Sequence, residues 1–384
     1  MKYLPLVWAA LRRKPVRTIL TLLSVVVAFG LFGLMQGVTA GLDDAIETYT
    51  DETRLMTQSR VNLVEPLPIS YLAQIQAIRG IDRIAYYGWF GGYFQEPRNQ
   101  INTGAVNIEA FLDIYPEFVV TPEALDTMLR TRTGALVGRD LLNRFGWSVG
   151  DRVPLGSSIW TQQDGSSTWD FDIVGAIDSS DEALPADDFL INYDYFDEER
   201  SFGKGAVAIY MSKIADPSRS AQIAEQIDDL FLNSTAETKT QNEREWTQGQ
   251  IAQIGDINFF VNAIAGAVMF TLLFLTWNTM AQSVRERIPE LAVLKTYGYS
   301  NVQVVTFVFA EALLLCVGAA LIGLGLAAAA FPGMFRAMGI GALPMPTSVV
   351  LFGCAVAALL AFLSGLLPAL RAQRLSIVDA LAGR

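Results

Sequence analysis

The chain has no histidine and only two cysteines among its 384 residues. Without histidine, Ser-His-Asp and Cys-His catalysis are excluded, and most zinc sites are removed as well. The two cysteines, Cys316 and Cys354, both lie in strongly apolar segments. Any domain outside those segments must therefore fold on core packing alone, without disulfides.

Nucleotide-binding loops are missing too. The sequence contains no GxxxxGK[ST] motif and no other glycine-rich loop between a strand and a helix. If the protein uses ATP, another chain must supply the ATP and magnesium site. We therefore expect no catalytic residue, cofactor or metal in this chain, and no nucleic-acid partner. The acidic stretch 178–188 lacks the ligand spacing of a calcium loop, and we interpret it as solvated surface.

Charge is scarce and unevenly placed. Only 17% of the residues are charged and 52% are hydrophobic, which indicates membrane spans rather than an ordinary soluble enzyme. Residues 43–256 carry 35 acidic and 16 basic side chains, whereas the rest of the chain carries 4 and 12. An acidic soluble block is therefore inserted into a basic and apolar remainder.

Four charge-poor runs are long enough to cross a bilayer, which requires about 20 apolar residues. We predict transmembrane helices at 18–42, 257–284, 301–332 and 348–370. Residues 333–347 include the sequence GALPMPT, whose glycine and prolines favour an extracytoplasmic loop. The first run is too long for the apolar region of a signal peptide, so we expect it to be retained.

Basic residues orient these spans, because cytoplasmic flanks are enriched in lysine and arginine. Such residues precede the first span, separate the second from the third, and follow the fourth in the tail 371–384. Both chain ends are then cytoplasmic, and the acidic block faces the opposite side of the membrane. The predicted fold is a polytopic α-helical membrane protein with four transmembrane helices (1+3) and a large α/β extracytoplasmic domain on a helical stalk.

The acidic block 43–256 has mixed α/β character. Alternating apolar residues predict strands at 60–66, 169–178 and 207–212, and apolar residues three to four apart predict helices at 69–81 and 219–233. A helical pattern also continues from the first span through 43–58, and a second polar helical pattern covers 236–257. These last two segments form the predicted stalk.

Residues 1–17 place apolar side chains on one helical face and bases at the end. We predict an interfacial helix on the cytoplasmic leaflet; the alternative is a basic flank that only sets topology. Within the first span, Gly33, Gly37 and Gly41 recur at intervals of four. Small residues at this spacing allow two helices to approach closely in lipid, so we predict a packing face there; the alternative is that glycine is simply common in transmembrane helices.

Glu311 is an acidic residue inside the third predicted span. Intramembrane carboxylates are costly and are candidates for function. Two interpretations stay open: a role in transport, or a structural hydrogen bond to Thr276 or Asn278 on the preceding span.

The segment RERIPELAVLKTYGYS, residues 285–300, interrupts two apolar runs with a short amphipathic helix. Pro289 suits the first helical position, Glu290 the first turn, Lys295 the last turn and Gly298 the C′ position. A helix of about nine residues is too short to be stable alone. We therefore expect the membrane surface or a partner protein to hold it.

This segment, with the following NVQVVTFVFAEALLL, resembles the central motif of MacB/FtsX/Lol-type (type VII) ABC transporter permeases, and Glu311 stands at the family's glutamate. ALVGRDLLNRFGWSVGDRVPL and FDIVGAI resemble elements of the family's periplasmic domain. PALRAQRLSIVDALAGR is similar to its C-terminal tail, although Ile377 stands where proline is common. The resemblance extends over essentially the whole chain. It is specific for the superfamily but weak for any one member.

The resemblance implies a permease subunit without a fused ATPase domain, pairing with a second permease as a homodimer or with a paralogue. Two copies of a cytoplasmic ABC ATPase would supply ATP and magnesium. The segment 285–300 would act as a coupling helix that docks on the ATPase. The docking residues would be Arg285, Glu286, Arg287, Glu290, Leu291, Leu294, Lys295 and Gly298.

Mechanotransmission with efflux through a periplasmic adaptor and an outer-membrane channel is the first functional hypothesis that the resemblance implies. The alternatives are a lipoprotein-releasing permease and an FtsX-like regulator of cell-wall hydrolases. The last is ranked lowest, because the outside domain is too large for that group. Membrane lipid is an expected partner in every case.

Overall fold

The computed structural model describes residues 14–62, 64–180, 186–254, 257–337 and 343–373. The chain divides into two compact units. One contains Met1–Ala45, Ile254–Arg336 and Leu343–Arg384, and is called the helical unit below. The other contains Ile46–Gln253 and Ala337–Ala342, and is called the α/β unit. The predictions for 1–13, 181–185, 338–342 and 374–384 concern residues outside the described ranges.

Four of the described helices are long and apolar enough to cross a membrane. One precedes the α/β unit along the chain and three follow it. Twelve helices can be bounded in the described residues, and in chain order they are α1 (Pro15–Tyr49), α2 (Tyr71–Gln76), α3 (Ile108–Ile114), α4 (Pro122–Arg130), α5 (Arg139–Phe145), α6 (Tyr193–Glu199), α7 (Ser220–Leu230), α8 (Glu243–Ile254), α9 (Ile257–Glu286), α10 (Ile288–Thr296), α11 (Asn301–Ala337) and α12 (Thr347–Gln373).

The strands all belong to the α/β unit. They are β1 (Arg54–Ser59), β2 (Leu67–Pro68), β3 (Ile81–Trp89), β4 (Gly92–Tyr93), β5 (Gln100–Val106), β6 (Phe118–Val119), β7 (Gly134–Gly138), β8 (Arg152–Ser157), β9 (Thr168–Ser179), β10 (Asp188–Asn192), β11 (Ala206–Val207), β12 (Ile209–Ile214) and β13 (Thr238–Asn242).

One main sheet organises the α/β unit, in the order β10-β7-β9-β8-β4-β5-β3-β12-β1-β13. Because β10 also pairs with β5, the first six strands close into a ring. Strands β3, β12, β1 and β13 extend from this ring as an antiparallel sheet. The core of the α/β unit is rich in aromatic residues such as Phe90, Trp169 and Phe171, which are fully buried. The unit therefore has a core of its own, made without disulfides.

Several predicted elements are found. The strand at 169–178 is β9, the strand at 207–212 corresponds to β11 and β12, and the helix at 219–233 contains α7. The helix predicted at 69–81 is confirmed only over Tyr71–Gln76. The four long apolar helices extend beyond the predicted spans: α11 continues through Pro332 to Ala337, so residues 333–337 are helical and not part of the predicted loop.

The helix predicted through 43–58 is found only as far as Tyr49, and the strand predicted at 60–66 is wrong. The helix predicted over 236–257 is also wrong at its start, because Thr238–Asn242 form β13 and α8 begins at Glu243. Helix α1 ends at Tyr49, where Asp51 accepts hydrogen bonds from the backbone N–H and the hydroxyl of Thr53 and turns the chain. The strand is β1, at Arg54–Ser59. All six of its residues are buried between β12 and β13, so they show no polar alternation that would identify a strand.

A buried charge cluster surrounds the first residue of β1. The Arg54 side chain is 6% exposed, and its Nη1 and Nη2 donate to Glu117 at 2.7 and 2.8 Å. Nη1 also contacts Glu243 at 3.2 Å, and Glu243 accepts the backbone N–H of Asp51 at 2.9 Å. The guanidinium lies 4.4 Å from the centre of the Tyr115 ring. This cluster, called the Arg54 cluster, ties the segment after α1 to the start of α8 and to the loop before β6.

Charge pairing compensates for burial in the Arg54 cluster. Burial alone would lower the pKa of Arg54, but the hydrogen bond to Glu117 and the charges of Glu243 and Glu117 raise it above its ordinary value. Burial raises the pKa of Glu243, and the Asp51 N–H and Arg54 offset this only in part. Removing the arginine would leave carboxylates in a poorly solvated site.

We predict that Arg54→Met destabilises the α/β unit by about 3 kcal/mol or more, because it breaks a buried ion pair and leaves the partners uncompensated. Urea unfolding of the detergent-solubilised protein, followed by tryptophan fluorescence, measures the effect. Arg60→Met is the matched control. Its ion pair with Glu237 is 3.4 Å long and the two side chains are 56% and 35% exposed, so the change should be below about 1 kcal/mol. Equal effects of the two substitutions would contradict the interpretation.

Candidate functional site

Helix α10 is the short helix between α9 and α11, and its ends form as the sequence indicates. Pro289 and Glu290 lie in the first turn and Lys295 in the last. Gly298 has a φ of +92°. The N–H groups of Gly298 and Tyr299 bond to the carbonyls of Lys295 and Leu294 at 3.0 and 3.2 Å. This is a Schellman motif with glycine at C′, the position predicted for it.

The inner face of α10 packs within its own unit. Leu291 and Ala292 are 2% and 0% exposed. Leu291 belongs to a buried cluster with residues of α9, α11 and α12, and the half-buried Leu294 packs against the same cluster. The expectation that the membrane surface or a partner must hold this helix therefore needs correction. Neighbouring helices of the same chain already hold one of its faces.

An ion pair anchors the start of α10 to α11. Arg287 Nη1 donates to Glu311 Oε2 at 2.6 Å, and the hydroxyl of Ser283 donates to Oε1 at 3.2 Å. The side chains of Arg287 and Glu311 are 14% and 7% exposed. Glu290 lies 3.6 Å from Arg287 Nε, on the more exposed side. Arg287, predicted to dock on a partner, thus directs its guanidinium into its own unit.

Glu311 does not bond to Thr276, which was one of its expected partners. The Thr276 hydroxyl donates instead to the carbonyl of Leu272 in its own helix, at 2.7 Å. The partners of Glu311 lie further along the chain, at the last turns of α9 and just beyond its end. A full charge there satisfies the carboxylate better than a hydroxyl or an amide deeper in the helix would.

We predict that Glu311→Leu and Arg287→Leu each destabilise the helical unit by about 3 kcal/mol or more, because each leaves a charge buried without its partner. The double substitution should cost less than the sum of the two, since it removes both charges. Thermal unfolding in detergent micelles measures the three variants. Arg130→Leu is the control, because its ion pair with Asp126 joins side chains that are 78% and 57% exposed. Additive effects of the single substitutions would contradict a direct coupling.

The two residues before Arg287 have different surroundings. Arg285 is exposed. Glu286 accepts from Lys14 Nζ at 3.0 Å and from Arg17 Nη1 at 3.1 Å, so it joins the end of α9 to the start of α1. The three consecutive charged residues therefore face solvent, α1 and α11 respectively.

The outward face of α10 carries residues that the sequence reasoning missed. Val293 is 41% exposed and Tyr297, just after the helix, is 80% exposed. Together with Glu290 they recur at intervals of three and four, opposite the buried Leu291. That spacing is readable from the sequence, although the charged residues of the segment are its more prominent feature. A valine and a tyrosine exposed beside a carboxylate form a surface suited to a protein partner.

The three glycines of α1 lie against α11. A Cβ at Gly33 would be 3.0 Å from Leu324, one at Gly37 would be 2.6 Å from the Phe331 ring, and one at Gly41 would be 3.2 Å from the same ring. The missing side chains thus make room for a large side chain of the neighbouring helix.

We predict that Gly37→Ala lowers the thermal stability of the helical unit by about 1–3 kcal/mol, because the added methyl group must displace the Phe331 ring. Gly318→Ala is the matched control, since a Cβ at this α11 position meets nothing within 4 Å. It should leave stability unchanged or raise it slightly, as alanine favours helix. A similar loss in both variants would show that the contact does not matter.

The acidic stretch is described at its two ends, 178–180 and 186–188. Within the described ranges, no group of three or more His, Cys, Asp or Glu residues could hold a metal ion. In the acidic stretch, Asp178 forms a bidentate ion pair with Arg139. That hydrogen bond lowers the pKa of Asp178, so this carboxylate is neutralised by arginine.

Comparison with known proteins assigns both halves of the chain. Residues 18–230, more than half of the sequence, match the family model of the MacB-like periplasmic core domain, and residues 262–377 match that of the FtsX-like permease C-terminal domain. No curated protein matches this chain.

Two solved structures are similar over about half of the chain. The periplasmic region of MacB from Actinobacillus actinomycetemcomitans has 10% identity and a TM-score of 0.38, and the match covers 52% of this chain and 92% of that one. The extracellular domain of the noncanonic ABC-type transporter YknZ from Gram-positive bacteria has 10% identity and a TM-score of 0.37, covering 49% and 100%.

Proposed function

Because this chain belongs to the MacB/FtsX-type family of ABC transporter permeases, we propose that it transmits ATP-driven motion from a separate cytoplasmic ATPase to its α/β unit. The motion would export or extract a substrate on the periplasmic side, without chemistry in this chain. Permease subunits of this kind work with an ABC ATPase and dimerise. ATP and magnesium would be bound by that partner.

The observation that carries the proposal is the two-sided construction of α10. Its inner face is buried by Leu291 and anchored by the Arg287–Glu311 pair, whereas its outer face exposes Val293 and Tyr297. A helix built this way can be pushed by a partner and can pass the displacement to α11 through a charged contact. Exposed Arg285 would add a charge contact to the same partner.

The proposed assembly contains two permease subunits and two ATPase subunits in the inner membrane. Both chain ends would be cytoplasmic, the helices would be arranged 1+3 across the membrane, and the α/β unit would be periplasmic. An efflux function requires a periplasmic adaptor and an outer-membrane channel in addition. Affinity purification from solubilised native membranes, with mass spectrometry of the captured proteins, tests this assembly. An adaptor among them supports efflux, whereas a lipoprotein would favour lipoprotein release and a cell-wall hydrolase the regulatory alternative.

We predict that Val293→Asp and Tyr297→Ala each reduce the recovered ATPase about tenfold or more, because exposed aromatic and apolar anchors dominate protein interfaces. Quantitative mass spectrometry of the ATPase against the permease gives the ratio. Val149→Asp is the matched control, since Val149 is 57% exposed in the α/β unit and the same charge is introduced. These positions test docking more cleanly than Arg287, whose substitution would also break the Glu311 pair.

Undiminished ATPase recovery with both Val293→Asp and Tyr297→Ala would overturn the docking role of α10. Capture of no ATPase by the unaltered protein would overturn the proposed assembly itself.

A further inference from the structure

A groove in the helical unit lies between the start of α1 and the end of α9. It has a volume of about 730 Å³, within the range of small-molecule and lipid headgroup sites. Its residues are Lys14, Pro15, Val16, Arg17, Leu20, Thr21, Ser24, Leu275, Asn278, Thr279 and Gln282. The groove is separate from the outer face of α10 and plays no part in the ATPase docking described above.

The lining changes from charged to apolar along the groove. Lys14 and Arg17 lie at one end, next to Glu286, and Gln282 follows on α9. The helices run antiparallel, because Gln36 of α1 bonds Asn262 of α9 at their other ends, at 3.0 Å. Deeper along the groove the lining carries no charge. Its apolar walls are Leu20 and Leu275, which are 58% and 38% exposed, and they lie among the short polar side chains Thr21, Ser24, Asn278 and Thr279.

We propose that this groove binds the headgroup and the first part of an acyl chain of an anionic phospholipid. Two cations at the charged end face one carboxylate, so one positive charge remains for a phosphate. Lys14 uses one of its three donors on Glu286, and Arg17 uses Nη1 of its guanidinium on the same carboxylate. Both cations therefore have donor capacity to spare for phosphate oxygens.

The apolar part of the groove continues onto a lipid-facing surface. Val16, Ile19, Leu23 and Val27 of α1 are 70%, 61%, 54% and 62% exposed. In a transmembrane helix such residues contact acyl chains, so a chain bound along Leu20 and Leu275 can run directly into the bilayer. Basic pockets between transmembrane helices bind anionic headgroups in this way, with the phosphate at the interface.

Net charge favours an anionic over a zwitterionic lipid. A phosphatidylethanolamine headgroup would bring its own ammonium group next to Lys14 and Arg17. Phosphatidylglycerol brings a phosphate without a compensating cation. The carboxylate of Glu286 binds both cations and therefore weakens their attraction for a phosphate.

Native mass spectrometry of the full-length, delipidated protein tests the proposal, with phosphatidylglycerol or phosphatidylethanolamine titrated separately. We expect retention of phosphatidylglycerol to exceed that of phosphatidylethanolamine. The double variant Lys14→Gln/Arg17→Gln should bind phosphatidylglycerol more weakly, roughly fivefold for each cation removed. Arg336→Gln, which removes an exposed base near the end of α11, should bind like the unaltered protein.

Glu286→Gln separates lipid binding from helix bridging. If the cations bind phosphate, removing the competing carboxylate increases phosphatidylglycerol retention. If they only bridge α1 to α9, losing Glu286 opens the groove and lowers retention, as losing the cations does. The proposal is supported if phosphatidylglycerol retention rises with Glu286→Gln and falls with Lys14→Gln/Arg17→Gln. It is overturned if retention changes in the same direction in both variants.

Ser24→Phe fills the groove without a change of charge and should reduce retention of phosphatidylglycerol. Unchanged retention in this variant, or no preference between the two lipids, would overturn the proposal. If Ser24→Phe instead disrupts the dimer while lipid retention is unaffected, the groove belongs to an interface with a second copy and the lipid assignment is wrong. Recovery of the ATPase is measured independently, so failure here is distinguishable from failure of the proposed transport function.

Discussion

The Arg287–Glu311 ion pair is the contact on which the geometry of α9, α10 and α11 depends. A carboxylate in an apolar helix is expensive to bury, and its cost falls only when a charged partner and further hydrogen bonds satisfy it. Arg287 and Ser283 do so for Glu311 from the end of α9 and the residue before α10. Because Arg287 is also the N-cap of α10, its position determines where the chain turns. The helix that follows this turn is too short to be stable alone, and Leu291 packs it against α9, α11 and α12.

The coarse architecture could be predicted from the sequence because the relevant signals are large. Runs of about 20 apolar residues are unambiguous, and the charge difference between residues 43–256 and the rest separates a soluble unit from membrane helices. The caps of α10 were also readable, since Gly298 has few alternatives to the C′ position. These signals are local or compositional. They depend on neighbouring residues in the chain and not on which distant segments meet.

What could not be predicted depends on distant contacts. Strand β1 lies between β12 and β13, and all of its residues are buried. Its sequence therefore shows no alternation of polar and apolar residues, and the local pattern favours a helix instead. Arg54 was correspondingly overlooked, because only the folded sheet brings Glu117 and Glu243 to it. For Glu311, the sequence indicates the correct neighbouring helix, α9, but it places the hydrogen-bond partner too early in that helix. A flexible arginine beyond the end of α9 reaches it, whereas the hydroxyl of Thr276 is already bonded within its own helix.

The three consecutive charged residues before α10 make three different kinds of contact and do not form one charged docking patch. Arg285 is exposed, Glu286 bridges to Lys14 and Arg17, and Arg287 is buried against Glu311. Arg285 and Glu286 are successive residues of α9 and point about 100° apart, and Arg287 follows after that helix has ended, so the three residues face different directions. A displacement of the α9–α10 junction would therefore act on α1 and α11 together, through two ion pairs of different exposure. The exposed bridge is weakened by salt and by any anion that competes for its cations, whereas the buried one is protected from both. Coupling to α11 through the Arg287–Glu311 pair should consequently vary less between conditions. Coupling to α1 through Glu286 is the connection that the surrounding lipid can adjust.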